Sequence, residues 1–342
     1  MGYNIITEKR KIQLTGGSTY IISLPINWIR DVGLTAGDSL TISQQPDKTL
    51  ILSSEPKITN KKSKATIKLF HSDDPEDNFR VLVAHYLVGY DIIKLVSQKG
   101  FSTIDRKFIK DTVRQRLIGL EVLEESGNEL VLQSFLNYSD LPLDKAMKSM
   151  SRLVSSMLDD AIRALHDNDR ELAQDIIQRD DEVDRFYLLT VRQIKAVLED
   201  PSLSEKIGIS NPRTCLGYRL ITKSIERIGD HVERIAQNIV RIDHGIEEKD
   251  QILKLARFVS TIFNDAIQSL SKNDLKFSNN VISNTKKASD LYETIDDKKR
   301  NKTDYIYETE IRSIIVSLHR ISEYSADIAE ISINIGVEKH QD

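Results

Sequence analysis

RLVSSMLDDAIRALHDND (residues 152–169) and RFVSTIFNDAIQSLSKND (residues 257–274) agree at nine of eighteen positions when aligned at an offset of 105. Chance would give about one match, so the chain carries an internal duplication. Ile177/Ile282 and Tyr187/Tyr292 keep the same register. Further on the offset falls to 93, where Arg227-Ile228 matches Arg320-Ile321 and Ile235-Ala236 matches Ile328-Ala329. The Pro- and Gly-punctuated stretch 200–211 of the first copy accounts for the twelve residues between the two offsets. Each copy reads as three helices, with Asn168-Asp169 and Asn273-Asp274 opening the second. The expected bounds are 141–166, 169–199 and 212–242, then 250–272, 274–299 and 302–337. Two three-helix bundles in tandem follow.

The third helix of each copy holds the candidate chemistry. Ile221, Ile225, Ile228, Val232, Ile235 and Ile239 form one apolar stripe at helical spacing, and Glu226, Asp230 and Glu233 fall on the other side. In the second copy Ile314, Leu318, Ile321, Ile328 and Ile335 form the stripe, and His319, Glu323, Asp327 and Glu330 face away. Carboxylates four residues apart on a helix lie about 5–6 Å apart, within reach of a shared cation. A charged, solvated helix face is the competing reading, with Arg227, Arg234 and Arg241 as its counter-ions.

Ahead of this body, Ala65–Phe70 reads as a strand, Pro75–Val96 as a helix start and Asp105–Ile118 as a second helix. Leu120–Glu124 and Glu129–Leu136 form a hairpin around Ser126-Gly127-Asn128, so residues 64–138 are a small α+β module. Nearer the start, Lys11–Leu14 and Tyr20–Leu24 are β-prone runs around Thr15-Gly16-Gly17-Ser18-Thr19. A helical turn opened by Pro25 and closed by Gly33 follows, then strands at Ser39–Ser43 and Thr49–Ser53 with a turn at Gln45-Pro46-Asp47. So small a unit buries little core alone, and a dimer is expected. Gly16-Gly17-Ser18 lacks the Lys and Ser/Thr ending of a nucleotide-binding loop.

The composition limits the function classes. The chain has 342 residues, 29% of them charged, and a net charge of −4. That total conceals +5 over residues 1–70 and −9 over the remainder. A basic unit on an acidic body suggests an anionic partner at one end and cations at the other. The longest stretch without Lys, Arg, Asp or Glu, Ile12–Ile29, contains Gly, Pro and amides, so no membrane insertion is expected. With one cysteine, Cys215, a disulfide framework and a Cys-based zinc site are excluded. No signal-peptide pattern opens the chain, and a cytoplasmic protein is expected. Asn137-Tyr-Ser139 and Asn301-Lys-Thr303 are then chance matches to the glycosylation pattern.

KIQLTGGSTYIISLPINWIRDVGLTAGDSLTI, with Leu24-Pro25, Trp28, Gly33-Leu34 and Gly37-Asp38 in order, resembles an AbrB/SpoVT-type domain. The resemblance implies that two chains interlock their hairpins into one barrel that binds double-stranded DNA, with Lys9, Arg10, Lys11 and Arg30 facing phosphates. The tandem bundles carrying SIERIGDHVERIAQNI resemble the PhoU family of phosphate-uptake regulators. That likeness implies a carboxylate face holding metal ions (iron, Mn, Mg or Zn) on Asp181, Asp184, Glu226 and Asp230. Asp180, beside Ile176, Val183 and Tyr187, reads instead as a partly buried structural acid. In the second copy Thr285, Lys286 and Ser289 replace Asp180, Asp181 and Asp184, so His319, Glu323 and Asp327 form a weaker second site.

The expected architecture is multidomain and mainly α. It comprises an AbrB-like swapped-hairpin barrel (1–57), the α+β module (64–138) and PhoU-like three-helix repeats (141–246 and 248–342). The expected function is a phosphate-responsive, DNA-binding regulator, homodimeric and not an enzyme. The alternatives are an adaptor that docks on phosphate ABC transporter components or a signalling partner, with the barrel serving only to dimerise, and a metal store. Hydrolysis ranks last, because only His231 lies suggestively beside Asp230 and no nucleophile is evident.

Overall fold

A computed structural model describes residues 7–44, 48–54, 62–69, 75–209, 211–243, 246, 249–272, 274–300 and 307–339. The turn at 45–47, the stretch 55–61, Phe70, Asn273 and Asn301 to Thr303 lie outside the described residues. By its contacts the chain divides into two compact units, 1–61 and 62–342.

In the first unit β1 (Gln13–Thr15) pairs antiparallel with β2 (Thr19–Ile21). The turn between them needs backbone that a side chain resists, and Gly16 and Gly17 supply it at φ +57° and +80°. After α1 (Ile26–Asp31), β3 (Leu40–Gln44) pairs with β4 (Leu50–Ser54). Among the described residues these hairpins are two separate two-stranded sheets, so one chain closes no barrel. Ile12, Leu14, Tyr20, Ile22, Ile26, Ile42 and Leu50 are each more than half exposed. A groove of about 540 Å³ lined by Ile22, Leu24, Pro25, Trp28, Leu50 and Leu52 runs beside them.

The second unit begins with a four-stranded sheet of β5 (Lys64–Lys68), β6 (Ile92–Val96), β7 (Leu120–Glu125) and β8 (Glu129–Ser134), in the order β5-β6-β8-β7. Helix α2 (Pro75–Val88) connects the parallel pair β5 and β6, and α3 (Thr103–Arg116) follows. Ser102 and Asp105 close a reciprocal cap at the start of α3. The sequence reading of helix through Val96 is corrected: α2 ends at Val88, Gly89 turns the chain at φ +106°, and Ile92–Val96 is a central strand. A short apolar run there fits either period, and strand pairing on both sides decides it.

The helical body is α4 (Leu143–Asp167), α5 (Arg170–Glu199), α6 (Ser204–Ile207), α7 (Cys215–Arg241), α8 (Lys249–Lys272), α9 (Leu275–Arg300) and α10 (Tyr307–Lys339). Asn168 ends α4 in the left-handed region and Asp169 caps α5 through the Leu172 amide at 2.9 Å. Asp274 does the same for α9 through the Lys276 amide. The six apolar positions of the α7 stripe are all at most 4% exposed. Two contacts reveal how the repeats face each other: Ser155 donates to Asn264 at 2.8 Å, and Ser260 donates to Asp159 at 2.9 Å. Ser155 and Ser260 are equivalent positions, as are Asp159 and Asn264, so α4 and α8 meet about a local pseudo-twofold. His231 stacks near Tyr324, its own equivalent, where α7 meets α10. No helix among the described residues is long and apolar enough to cross a membrane.

Helix α5 joins the α+β module to the body, and Arg192 makes its polar contacts there. Arg192 of α5 is 2% exposed, donates to the carbonyls of Tyr86, Gly89 and Tyr90, and sits 4.8 Å above the Tyr86 ring. Leu188, one turn earlier, packs into the module's core. Replacing Arg192 with Met leaves three buried carbonyls without their charged donor and should cost about 3 kcal/mol in urea unfolding. A loss under about 1 kcal/mol would show that apolar packing alone holds the module.

Candidate metal centre

Three carboxylates converge between α5 and α7. One oxygen each of Asp184, Glu226 and Asp230 lies within 4.8 Å of the others. The acidic side of α7 is therefore not a solvated face, since Glu226 is 8% exposed against α5. Gly229 makes the approach possible: a Cβ there would sit 3.1 Å from Val183 Cγ1 and 3.3 Å from Asp180 Oδ1. Glycine inside a helix costs about 1 kcal/mol relative to alanine, which the fit of α5 offsets here.

Asp180 is the residue that sequence reasoning set aside. Its Oδ1 is buried without a hydrogen-bond partner among the described residues. Burial, followed by the charges of Asp184, Glu233, Asp230 and Glu226, pushes its carboxyl up to about 8. Burial, then Glu226 and Asp230, pushes Asp184 up to about 6, while Arg116 of α3 acts in the opposite direction. Glu226, Asp230 and Glu233 are raised as well, burial being the largest cause for each. Asp181 is exposed and stays outside the converging group. The alternation of apolar residues around Asp180 was the sequence signal for its burial, but not for its aim.

The second copy is different at every matching position. His319 Nε2 lies 3.2 Å from Ser289 Oγ, and its ring stacks on Tyr292 at 4.3 Å between centroids. Glu323 is held by Arg320 at 2.8 Å and lies 3.9 Å from His319. Asp327 is raised by burial and then by Glu323. Among the described residues these three do not gather as the first group does. Ser322 takes the place of Gly229 and Thr285 that of Asp180, each bonded to a backbone carbonyl. His231 faces α10 through Ser317 at 3.3 Å, and burial with neighbouring arginines lowers it to about 4.

In the first unit Lys9, Arg10, Lys11 and Arg30 are all exposed, and Arg10 pairs with Glu8.

The helical repeats match known proteins. The PhoU domain model matches residues 147–239 and again 252–332, just over half of the chain. The chain belongs to the PhoU family. A PhoU homologue from Aquifex aeolicus, named a phosphate-specific transport system accessory protein, is 25% identical over 174 residues, covering 50% of this chain and 74% of that protein. A Caulobacter vibrioides PhoU homologue of the same name is 30% identical over 100 residues, 28% of this chain and 39% of its own length. The crystal structure of PhoU from Pseudomonas aeruginosa superposes with a TM-score of 0.51 at 20% identity, covering 58% of this chain and 96% of that one. The phosphate transport system regulatory protein PhoU of Streptococcus pneumoniae gives 0.51 at 18%, covering 56% and 92%. These solved PhoU structures share the fold of the helical body. Residues 13–62 match the model described as antidote-toxin recognition MazE, bacterial antitoxin. The first unit is therefore a MazE/AbrB-type domain ahead of two PhoU domains.

The donor set fits a hard cation. Carboxylates raised first by burial and, at Asp180 and Asp184, also by neighbouring acids, together with an orphaned buried oxygen, are what such an ion would relieve. When an ion is bound, it would supply positive charge to Asp184, Glu226 and Asp230.

In chelator-treated protein the pH dependence has a defined sign. Asp180 and Asp184 hold protons in the folded chain up to about 8 and about 6, whereas the unfolded chain releases them near the ordinary aspartate value. Folding takes up protons across that window, so stability should fall as pH rises from about 4 to about 8. Asp180→Asn should flatten the upper part of that fall in urea titrations. A profile unchanged by the substitution would mean that Asp180 does not carry the strain.

Proposed function

We propose that this chain is a phosphate-responsive regulator that binds double-stranded DNA through paired N-terminal units and reads phosphate status through its acidic helical body. The observation that carries this reading is the union, in one chain, of a MazE/AbrB-type domain with a +5 balance over residues 1–70 and two PhoU domains. Its parts are the DNA-binding unit 1–57, the α+β module 64–138 and the repeats 141–246 and 248–342.

The uncovered apolar residues of the two hairpins call for a second copy. Burying seven large apolar side chains that are more than half exposed supports an obligate homodimer whose hairpins close one barrel. Lys9, Arg10, Lys11 and Arg30 would then neutralise backbone phosphates from both chains. Asp184, Glu226 and Asp230, with Asp180 beside them, would hold one or more di- or trivalent cations. His319, Glu323 and Asp327 would form at most a weaker site. We place this work in the cytoplasm.

A second reading has support in the names of the relatives, which are accessory proteins of phosphate-specific transport systems. In it the chain docks on a transporter component and the N-terminal units only dimerise.

A genomic-fragment pull-down at moderate salt separates the two, comparing the intact chain with an Arg10→Ala/Lys11→Ala version. Recovery of a few related, near-palindromic sites, lost in the variant, is expected. Affinity should fall with salt at a log–log slope of about −0.9 per phosphate neutralised. Equal recovery by both proteins would leave the adaptor reading. Sedimentation gives an independent check: Leu14→Asp/Ile42→Asp should convert the dimer to monomer, and a dimer that survives would be held elsewhere.

A further inference from the structure

Lys223 lies one turn before Glu226 on α7, and its Nζ hydrogen-bonds both carboxylate oxygens, at 2.5 Å to Oε1 and closer still to Oε2. Glu226 is a buried member of the converging group, and this half-buried ammonium sits at the edge of the site. It engages the same lone pairs that a cation shared by Asp184, Glu226 and Asp230 would take. One group cannot serve both partners fully, because an ammonium spanning two carboxylate oxygens occupies one lone pair on each and repels a metal approaching the others.

The same ammonium also lies over an aromatic ring. The Tyr187 ring is 5.0 Å from Lys223 Nζ and already carries the Arg219 guanidinium at 5.1 Å, with Arg219 donating to the Tyr187 hydroxyl at 2.8 Å. An aromatic face attracts a cation, so Tyr187 can keep the ammonium beside the site when its bonds to Glu226 are released. In the second repeat Val316 stands where Lys223 does, and Tyr292 stacks on His319 instead. The lysine thus accompanies the repeat whose carboxylates converge.

We propose that Lys223 is an internal competitor for the cation site: it holds Glu226, gives it up to an incoming ion while remaining over Tyr187, and so sets the concentration at which the site loads. The inference rests on the reading of Asp184, Glu226 and Asp230 as a cation site. Arg219 is a neighbour without this role, since it touches Tyr187 and none of the three acids.

Calorimetric titration with Mn²⁺ tests this on the full-length protein and on Lys223→Gln, Lys223→Met, Lys223→Arg and Arg219→Gln variants. Removing the competitor should tighten Mn²⁺ binding roughly three- to tenfold in the Gln and Met variants, the range expected for a partly screened charged pair. Lys223→Arg and Arg219→Gln should stay within about twofold of the wild type, because the first keeps a cation on Glu226 and the second leaves Lys223 in place. Equal or weaker binding in both Lys223→Gln and Lys223→Met overturns the proposal and leaves the cation site standing. Equal tightening by Arg219→Gln overturns it too, by showing a diffuse charge effect. If neither the wild type nor any variant binds Mn²⁺, the cation reading itself fails, and the proposal with it.

Discussion

The close approach of α5 to α7 at Gly229 is the constraint on which the acidic centre depends. With no side chain at that position, Val183 and Asp180 press against the backbone of α7. Asp184, one turn further along α5, is then carried to Glu226 and Asp230. Even a Cβ there would make Val183 and Asp180 give way, and a larger side chain would need more room than the approach leaves. The second repeat demonstrates the alternative. Ser322 occupies the matching position, and Thr285 donates across to the Ser322 carbonyl at 3.4 Å, a hydroxyl-to-carbonyl contact where the first repeat has charge. The two halves share a backbone plan and differ in how their second and third helices are held.

Much of this was legible in the sequence, for reasons that can be named. The duplication exposed six long helices within a few residues of their ends, because apolar spacing and the Asn-Asp punctuation act locally. The family resemblance pointed to Glu226, Asp230 and Asp184, and the structure brings these three carboxylates together. The module's central strand was misread as helix because Ile92–Val96 is short and apolar, and its identity comes from β5 and β8 on either side. Asp180 and Lys223 were missed for a different reason. Periodicity states which side of a helix a residue occupies, but not which atoms a neighbouring helix places against it. Asp181, exposed beside them, shows how little one position along a helix needs to change that outcome.

The α5 helix also links parts that composition treats as separate. Over its 30 residues it presents acids to α7, places Leu188 in the module's core and inserts Arg192 beneath the module's carbonyls. Arg116, at the end of α3, bears on Asp184 from the module's side. The α+β module is thereby a fixture of the acidic centre, and its first strand, β5, follows the N-terminal unit in the chain after a short connection. Any displacement of α5 by charge at the centre has a direct mechanical route into that module.

The reciprocal contacts of Ser155 with Asn264 and Ser260 with Asp159 have an evolutionary consequence. Two identical subunits meeting about a twofold must accept every substitution twice, so a ligand lost on one is lost on both. Joining the halves in one polypeptide keeps the symmetric seam and lifts that restriction. One half can hold its carboxylates while the other drifts to Thr285, Lys286 and Ser289, remaining as a scaffold. Asp159 facing Ser260 where Asn264 faces Ser155 marks the same release at the seam itself. The chain keeps a twofold plan at the seam of its halves and carries different side chains on each.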